Sequence, residues 1–363
     1  MTRRPLAFTA PLIAATALAS CGSSDSGGPS GEEVRLHVVT AFYPLQFATQ
    51  RVVGGAEGVS IETLASPGAD AHDLELTPRQ LASVSEADLV VYSARMQPAV
   101  DEAVAAQAAD RSLDAATVAD LVEHGDDDPA DGPDGHDHES HEGHDHHEDA
   151  DGEPHEGHDH GDEHADSHDH EDADSHEDEG ADGHEGHDHG PLDPHFWLDP
   201  QRYSTVSEAI AEDLAALDPD NAETYRANAA DFSAELQDLD QEFMTALADC
   251  EHDTLVTTHE AFGYLAERYG LHQVGITGIY SGAEASPARM AEITREVAAL
   301  NVPAIYAESS LGGDLAEVIA AETGTEVLVL DPIEGITADS PGADYLEVMR
   351  ANLTSLRQGQ GCA

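Results

Sequence analysis

Four side chains spread along this sequence, His72, His195, His259 and Asp331, could together surround one metal ion. Three neutral imidazoles and a carboxylate make a nitrogen–oxygen donor set of the kind that tetrahedral Zn²⁺ takes. Each of them alone is weak. A single histidine at a strand end more often caps or hydrogen-bonds, and Asp331, before Pro332, could simply cap a turn. His37, His252 and His272 take that plain reading.

The local contexts sharpen the set. His72 lies in Pro67-Gly-Ala-Asp-Ala-His-Asp-Leu-Glu-Leu-Thr-Pro78, a loop after a strand and before a helix. His195 lies in Asp193-Pro-His-Phe-Trp-Leu-Asp-Pro200, where prolines stiffen both ends and Phe196 or Trp197 can wall off water. His259 follows the apolar run 254–258, and Asp331 ends the run 327–330. Three of the four thus fall at the carboxyl ends of expected strands, where open α/β sheets bind ligands.

The elements that must position them alternate. Residues 35–40, 59–64 and 88–92 read as strands, separated by helices over 43–54, from Thr77-Pro78 and over 98–109. This βαβα rhythm implies a parallel sheet. Helices are expected over 203–217 and, after Asp218-Pro219, to about Ala248, with Tyr225, Phe232, Leu236, Leu239, Phe243 and Leu247 at the helical period. A second rhythm follows, with strands over 254–258, 273–276, 304–307 and 327–330. Its helices start near Glu260, at Ser286-Pro287, near Gly313 and near Asp344. The fold class is therefore α/β, with two (β/α) lobes joined by one long helix and a cleft between them. In chain order this gives an N-terminal lobe over 34–217, a linking helix over 218–249 and a C-terminal lobe over 250–363.

Between the helix over 98–109 and the one over 203–217 the composition changes abruptly. Of the chain's 75 acidic residues, 28 lie between His124 and Gly190, a stretch without a single arginine. It repeats Gly-His-Asp-His, which places His136, His138, His144, His146, His158, His160, His187 and His189 in pairs. With almost nothing apolar to bury, residues 124–190 are expected to be disordered without metal. Neutral imidazoles could collect or buffer metal there, or bind it only incidentally as any histidine-rich tract would.

The formal charge of −61, with only 14 basic residues, excludes nucleic acid as a natural partner. Arg3 and Arg4 precede a short apolar stretch ending Leu18-Ala19-Ser20-Cys21, the pattern of a bacterial lipoprotein leader. Residues 1–20 would then be removed, Cys21 would carry lipid, and residues 21–33 would tether the chain to the outer face of the cytoplasmic membrane. An ordinary secretion signal is the alternative. Cys250 and Cys362 remain as an even pair in an oxidising compartment, hence a disulfide candidate, with two free thiols as the other possibility.

The chain resembles the zinc-uptake branch of the metal-binding solute-binding proteins of bacterial ABC transporters. The resemblance rests on Thr-x-Phe-Tyr-Pro (40–44), Gly-Ala-Asp-x-His (68–72), Asp-Pro-His-x-Trp-Leu-Asp-Pro (193–200), His-x-Ala-Phe-Gly-Tyr (259–264) and Leu-Asp-Pro (330–332). It implies a rigid connecting helix, metal in the interlobe cleft, Zn²⁺ as cargo and an ABC permease as partner. It also implies His72, His195 and His259 as ligands and Asp331 at the carboxylate position. A water or Glu308 remains open as the fourth donor. His259, where manganese and iron members carry glutamate, moves the preference towards zinc. A monomer without enzymatic activity is expected. The competing readings are a surface zinc buffer or adhesin without a transporter, and a zinc hydrolase or lyase. The hydrolase reading lacks any HExxH or GxSxG pattern.

Overall fold

Two four-stranded parallel sheets face each other by their carboxyl ends in the computed structural model, which describes residues 34–122, 192–279, 286–300, 302–308 and 313–363. The leader, tether, Cys21 and the histidine-rich stretch 124–190 lie outside the described residues.

The first lobe contains β1 (Leu36–Thr40), α1 (Tyr43–Val53), β2 (Val59–Thr63), α2 (Pro78–Glu86), β3 (Leu89–Tyr92), α3 (Pro98–Gln107), β4 (Ser112–Asp114) and α4 (Ala115–Val118). Its strand order is β2-β1-β3-β4, with Val38 aligned to Ile61 on one side and Leu89 on the other. The sequence does not announce β4, because three residues without an apolar run carry no strand periodicity. Helix α2 starts where expected: Thr77 and Gln80 form a reciprocal capping box around Pro78.

After a short 3-10 turn (Phe196–Leu198), α5 (Pro200–Leu217) and α6 (Ala222–Ala246) form an antiparallel hairpin. Asp199 caps α5 through Gln201 N–H at 2.8 Å, with Pro200 in the first turn. Asp218 closes the corner by accepting from Asn221 Nδ2 and the Tyr225 hydroxyl. Proline and this corner delay α6 to Ala222, so its 25 residues span about 37 Å. Its stripe Tyr225, Phe232, Leu236, Leu239 and Phe243 is buried as the spacing requires.

The second lobe comprises β5 (Thr254–Thr257), α7 (Gly263–Tyr269), β6 (His272–Gly275), α8 (Pro287–Leu300), β7 (Ala304–Ala307), α9 (Gly313–Thr323), β8 (Glu326–Val329) and α10 (Tyr345–Gln360), with strand order β6-β5-β7-β8. Helix α7 begins at Gly263, not near Glu260, so His259 stays on a loop. Cys250 and Cys362 are joined in a disulfide that ties the end of α10 to the entry of β5.

One hydrophobic core runs through the first lobe, α5, α6 and the inner face of α10; a smaller one lies between β5, β7, α8 and α9. The lobes are also joined by polar struts. Asp240 on α6 is buried and accepts both Arg268 nitrogens, at 2.6 and 2.7 Å, and the Tyr269 hydroxyl. Trp197 Nε1 donates to Pro332 O, and the Tyr345 hydroxyl donates to Trp197 O. No helix among the described residues is long and apolar enough to cross a membrane.

Candidate metal centre

Each of the site's side chains is delivered by a loop rather than by a regular element. His72 lies midway along the loop between β2 and α2, His259 lies two residues beyond β5, and Glu308 directly follows β7. His195 precedes the 3-10 turn that leads into α5. The His72 loop turns at Gly68 (φ +76°), a left-handed conformation that glycine adopts without steric cost. A Cβ there would also come within 3.2 Å of Thr337, because this loop packs against the one after β8. Gln97 Nε2 then holds Ala71 O at 2.7 Å, and Asp70 Oδ1 accepts the His72 N–H.

The structure gathers His72, His195 and His259 with Glu334, one donor atom from each lying within 4.8 Å of all the others. His72 Nε2 is 3.3 Å from His195 Nε2. Glu334 Oε1 stands 3.2 Å from His72 Nε2, 3.4 Å from His195 Nε2 and 3.8 Å from His259 Nε2. A tetrahedron with bonds of about 2.0–2.1 Å has edges of about 3.3–3.4 Å, so these spacings suit Zn²⁺. His259 Nε2 is buried and makes no hydrogen bond within the described structure. A buried polar atom of that kind is costly unless something occupies the space it faces.

Behind the rings stand two more carboxylates. Asp193 Oδ1 accepts from both the backbone N–H (2.9 Å) and Nδ1 (2.7 Å) of His195. Glu308 accepts from His259 Nδ1. A carboxylate on Nδ1 fixes the tautomer that presents Nε2 to a metal. Glu308, an open candidate for direct ligation in the sequence, thus sits on the far side of the His259 ring. Trp197 packs edge-on against the fully buried His195, and Phe42 packs edge-on against Trp197 in turn, so buried aromatic rings back the site.

Asp331, the carboxylate expected at the fourth position, is not in this group. It lies two residues beyond β8, and its Oδ1 accepts the Ile333 N–H at 2.8 Å. Glu334, three residues on, reaches the cleft instead. The sequence carried a faint signal for it, an acid in the same Leu-Asp-Pro-Ile-Glu loop. The strand end favours Asp331 in the sequence, whereas in the fold Asp331 is engaged by Ile333 N–H and Glu334 joins the histidines.

The charges of the cluster are strongly coupled. For His195, burial disfavours the charged ring, but the hydrogen bond and charge of Asp193, then those of Glu334, outweigh it and push its pKa up to about 9. Burial acts to raise Glu334, yet the charges and hydrogen bonds of His72 and His195 hold it well below the usual carboxylate range.

Residues 38–359 match the family described as zinc-uptake complex component A, periplasmic. The chain is 34% identical over 331 residues to the zinc-binding protein AdcA of Streptococcus pyogenes serotype M3, covering 90% of this chain and 56% of that protein. It therefore spans little more than half the length of that relative. It is 30% identical over 346 residues to the high-affinity zinc uptake system protein ZnuA of Bacillus subtilis, covering 94% of this chain and 92% of that one. Among solved structures, Zn(II)-bound AdcA of Streptococcus pneumoniae superimposes with a TM-score of 0.64 at 28% identity, over 90% of this chain and 57% of that chain. Two parallel-sheet lobes, a cleft lined by three histidines and a carboxylate, and a match over nearly all the described residues place this chain in the zinc-uptake complex component A family.

Proposed function

We propose that the protein captures Zn²⁺ outside the cytoplasm and hands it to an ABC permease for import. The ion would be held by Nε2 of His72, His195 and His259 and by a carboxylate oxygen of Glu334. The observation that carries this reading is the convergence of four donors from both lobes at tetrahedral spacing, the three histidines buried and Glu334 partly so, with Asp193 and Glu308 fixing two of the rings from behind. Four protein donors fill a tetrahedral shell, whereas a catalytic zinc keeps a position for water. That favours carriage over hydrolysis. The relatives' names, which specify zinc binding and zinc uptake, support the same cargo.

The lipid on Cys21, the outer-face location and a collecting role for residues 124–190 belong to this proposal through the sequence alone. So does the division into a lobe over 34–217, a linking helix over 218–249 and a lobe over 250–363. Zinc titration of the mature chain, and of a version lacking residues 124–190, tests the whole. One tight site that survives the deletion and disappears in His259→Ala is the expected result. Loss of all tight binding on deletion would place the zinc in the histidine-rich stretch and defeat the reading.

A further inference from the structure

The described chain breaks off after Val122 and resumes at Leu192, and its two ends lie side by side: Asp193 N–H donates to Val122 O at 3.1 Å. A single phenol closes this junction. The Tyr264 hydroxyl accepts from Val122 N–H at 3.0 Å and donates to Asp193 O at 2.7 Å. Its ring is 1% exposed and lies under the Arg202 guanidinium, 4.7 Å from the ring centre. Arg202 in turn donates to the carbonyls of Ala119 and Asp120, just before the same junction.

Two connections make this junction matter to the metal centre. Asp193 supplies the carboxylate that accepts from His195 Nδ1. Tyr264 belongs to the other lobe, in the first turn of α7 and five residues after His259. One hydroxyl therefore ties the backbone of Asp193, whose carboxylate stands behind one histidine, to the helix that follows another.

We propose that Tyr264 is a positioning residue for zinc binding, holding Val122 and Asp193 together so that the Asp193 carboxylate stays aimed at His195. The clasp joins Val122 to Asp193, residues on either side of positions 123–191. The proposal rests on the zinc-binding reading above.

Tyr264→Phe in the full chain retains the ring and its place under Arg202 and removes only the hydroxyl. Zinc affinity, read by competition with a chelator, is expected to fall about tenfold or more, the usual cost of losing an outer partner of a metal ligand. The Co²⁺-loaded protein is expected to show altered d–d absorption, which reports ligand geometry directly. Arg202→Met, which loosens the same junction and leaves the hydroxyl, should shift both readouts the same way and serves if the Phe variant does not fold. A lowered melting temperature with unchanged affinity and cobalt spectrum would reduce Tyr264 to a structural role and overturn the proposal. The two failures are distinguishable. If the parent protein holds no zinc tightly, or His259→Ala holds it equally well, the zinc reading falls and takes the clasp with it. If the parent binds and Tyr264→Phe matches it, only the clasp falls.

Discussion

Asp331 Oδ1 accepts the backbone N–H of Ile333 at 2.8 Å, and this bond aims the next residue, Glu334, into the cleft. Asn352 on α10 grips Asp331 from the other side, accepting its N–H at 2.9 Å and donating to its carbonyl at 2.7 Å. Ile333 sits at φ +62°, a left-handed conformation that costs a β-branched residue about 1–3 kcal/mol. Its side chain is fully buried and Trp197 holds the preceding carbonyl, so the surrounding packing imposes the turn.

The two acids of this loop should therefore differ in kind. Glu334→Gln removes the anionic donor and should weaken zinc binding by about a hundredfold or more; Asp331→Ala loosens the turn and should weaken it by about tenfold. Competition titration with a zinc chelator reads both. A larger effect at Asp331 than at Glu334 would reverse the assignment of the carboxylate.

Zinc uptake by the cluster should expel a proton. With its pKa at about 9, His195 is charged at neutral pH in the metal-free protein, and an imidazolium has no lone pair for a metal. Affinity should rise with pH by about tenfold per unit up to that value. Calorimetry at pH 7.5 in buffers of different ionisation enthalpy should show about one proton released at His195 per zinc. Binding heats independent of buffer would contradict it.

The same shifts set the stability of the metal-free protein. A raised folded pKa contributes stability that is fully present below the unfolded value of 6.5 and fades as pH rises through about 9. The depressed Glu334 contributes stability present above its unfolded value of 4.5 and lost in acid. The metal-free melting temperature should thus fall between pH 6.5 and 9, with about 3 kcal/mol from His195 at stake. Since zinc binds more tightly over that range, the gap between zinc-loaded and metal-free melting should widen. A metal-free curve flat to pH 9 would argue against the His195–Glu334 coupling.

The disulfide should matter to stability and not to zinc. Cys250 and Cys362 are 112 residues apart, and closing a loop of that length stabilises by about 2–5 kcal/mol. The bridge enters β5 from the end opposite His259. The double variant Cys250→Ala, Cys362→Ala should melt earlier while keeping zinc affinity within about twofold. A large loss of affinity would mean the bridge reaches the site.

Much of the frame was legible because its signals are local. Thr77-Pro78 is a helix start that reads directly, and the apolar stripe of α6 has one possible period, whereas α5 starts at Pro200 under its Asp199 cap, three residues ahead of the helix read over 203–217. The three histidines could be picked out because each stands in its own short motif at a strand end or before a helix. Glu334 could not, since what selects it over Asp331 is the left-handed Ile333 and the Asn352 grip from a helix 21 residues on. Nor could the duty of Glu308 behind His259 or of Tyr264 at the junction, because those pairings span 49 and 142 residues; Asp193 is only two residues from His195, but its role depends on which way the ring turns. Tertiary distance, not residue type, decides such roles.

The most direct test is anomalous diffraction at the zinc absorption edge from crystals of the zinc-loaded protein. The account predicts a single strong peak in the cleft, about 2.0–2.2 Å from Nε2 of His72, His195 and His259 and from a carboxylate oxygen of Glu334. A peak coordinated by Asp331 in place of Glu334, or no peak between the three histidines, would contradict it.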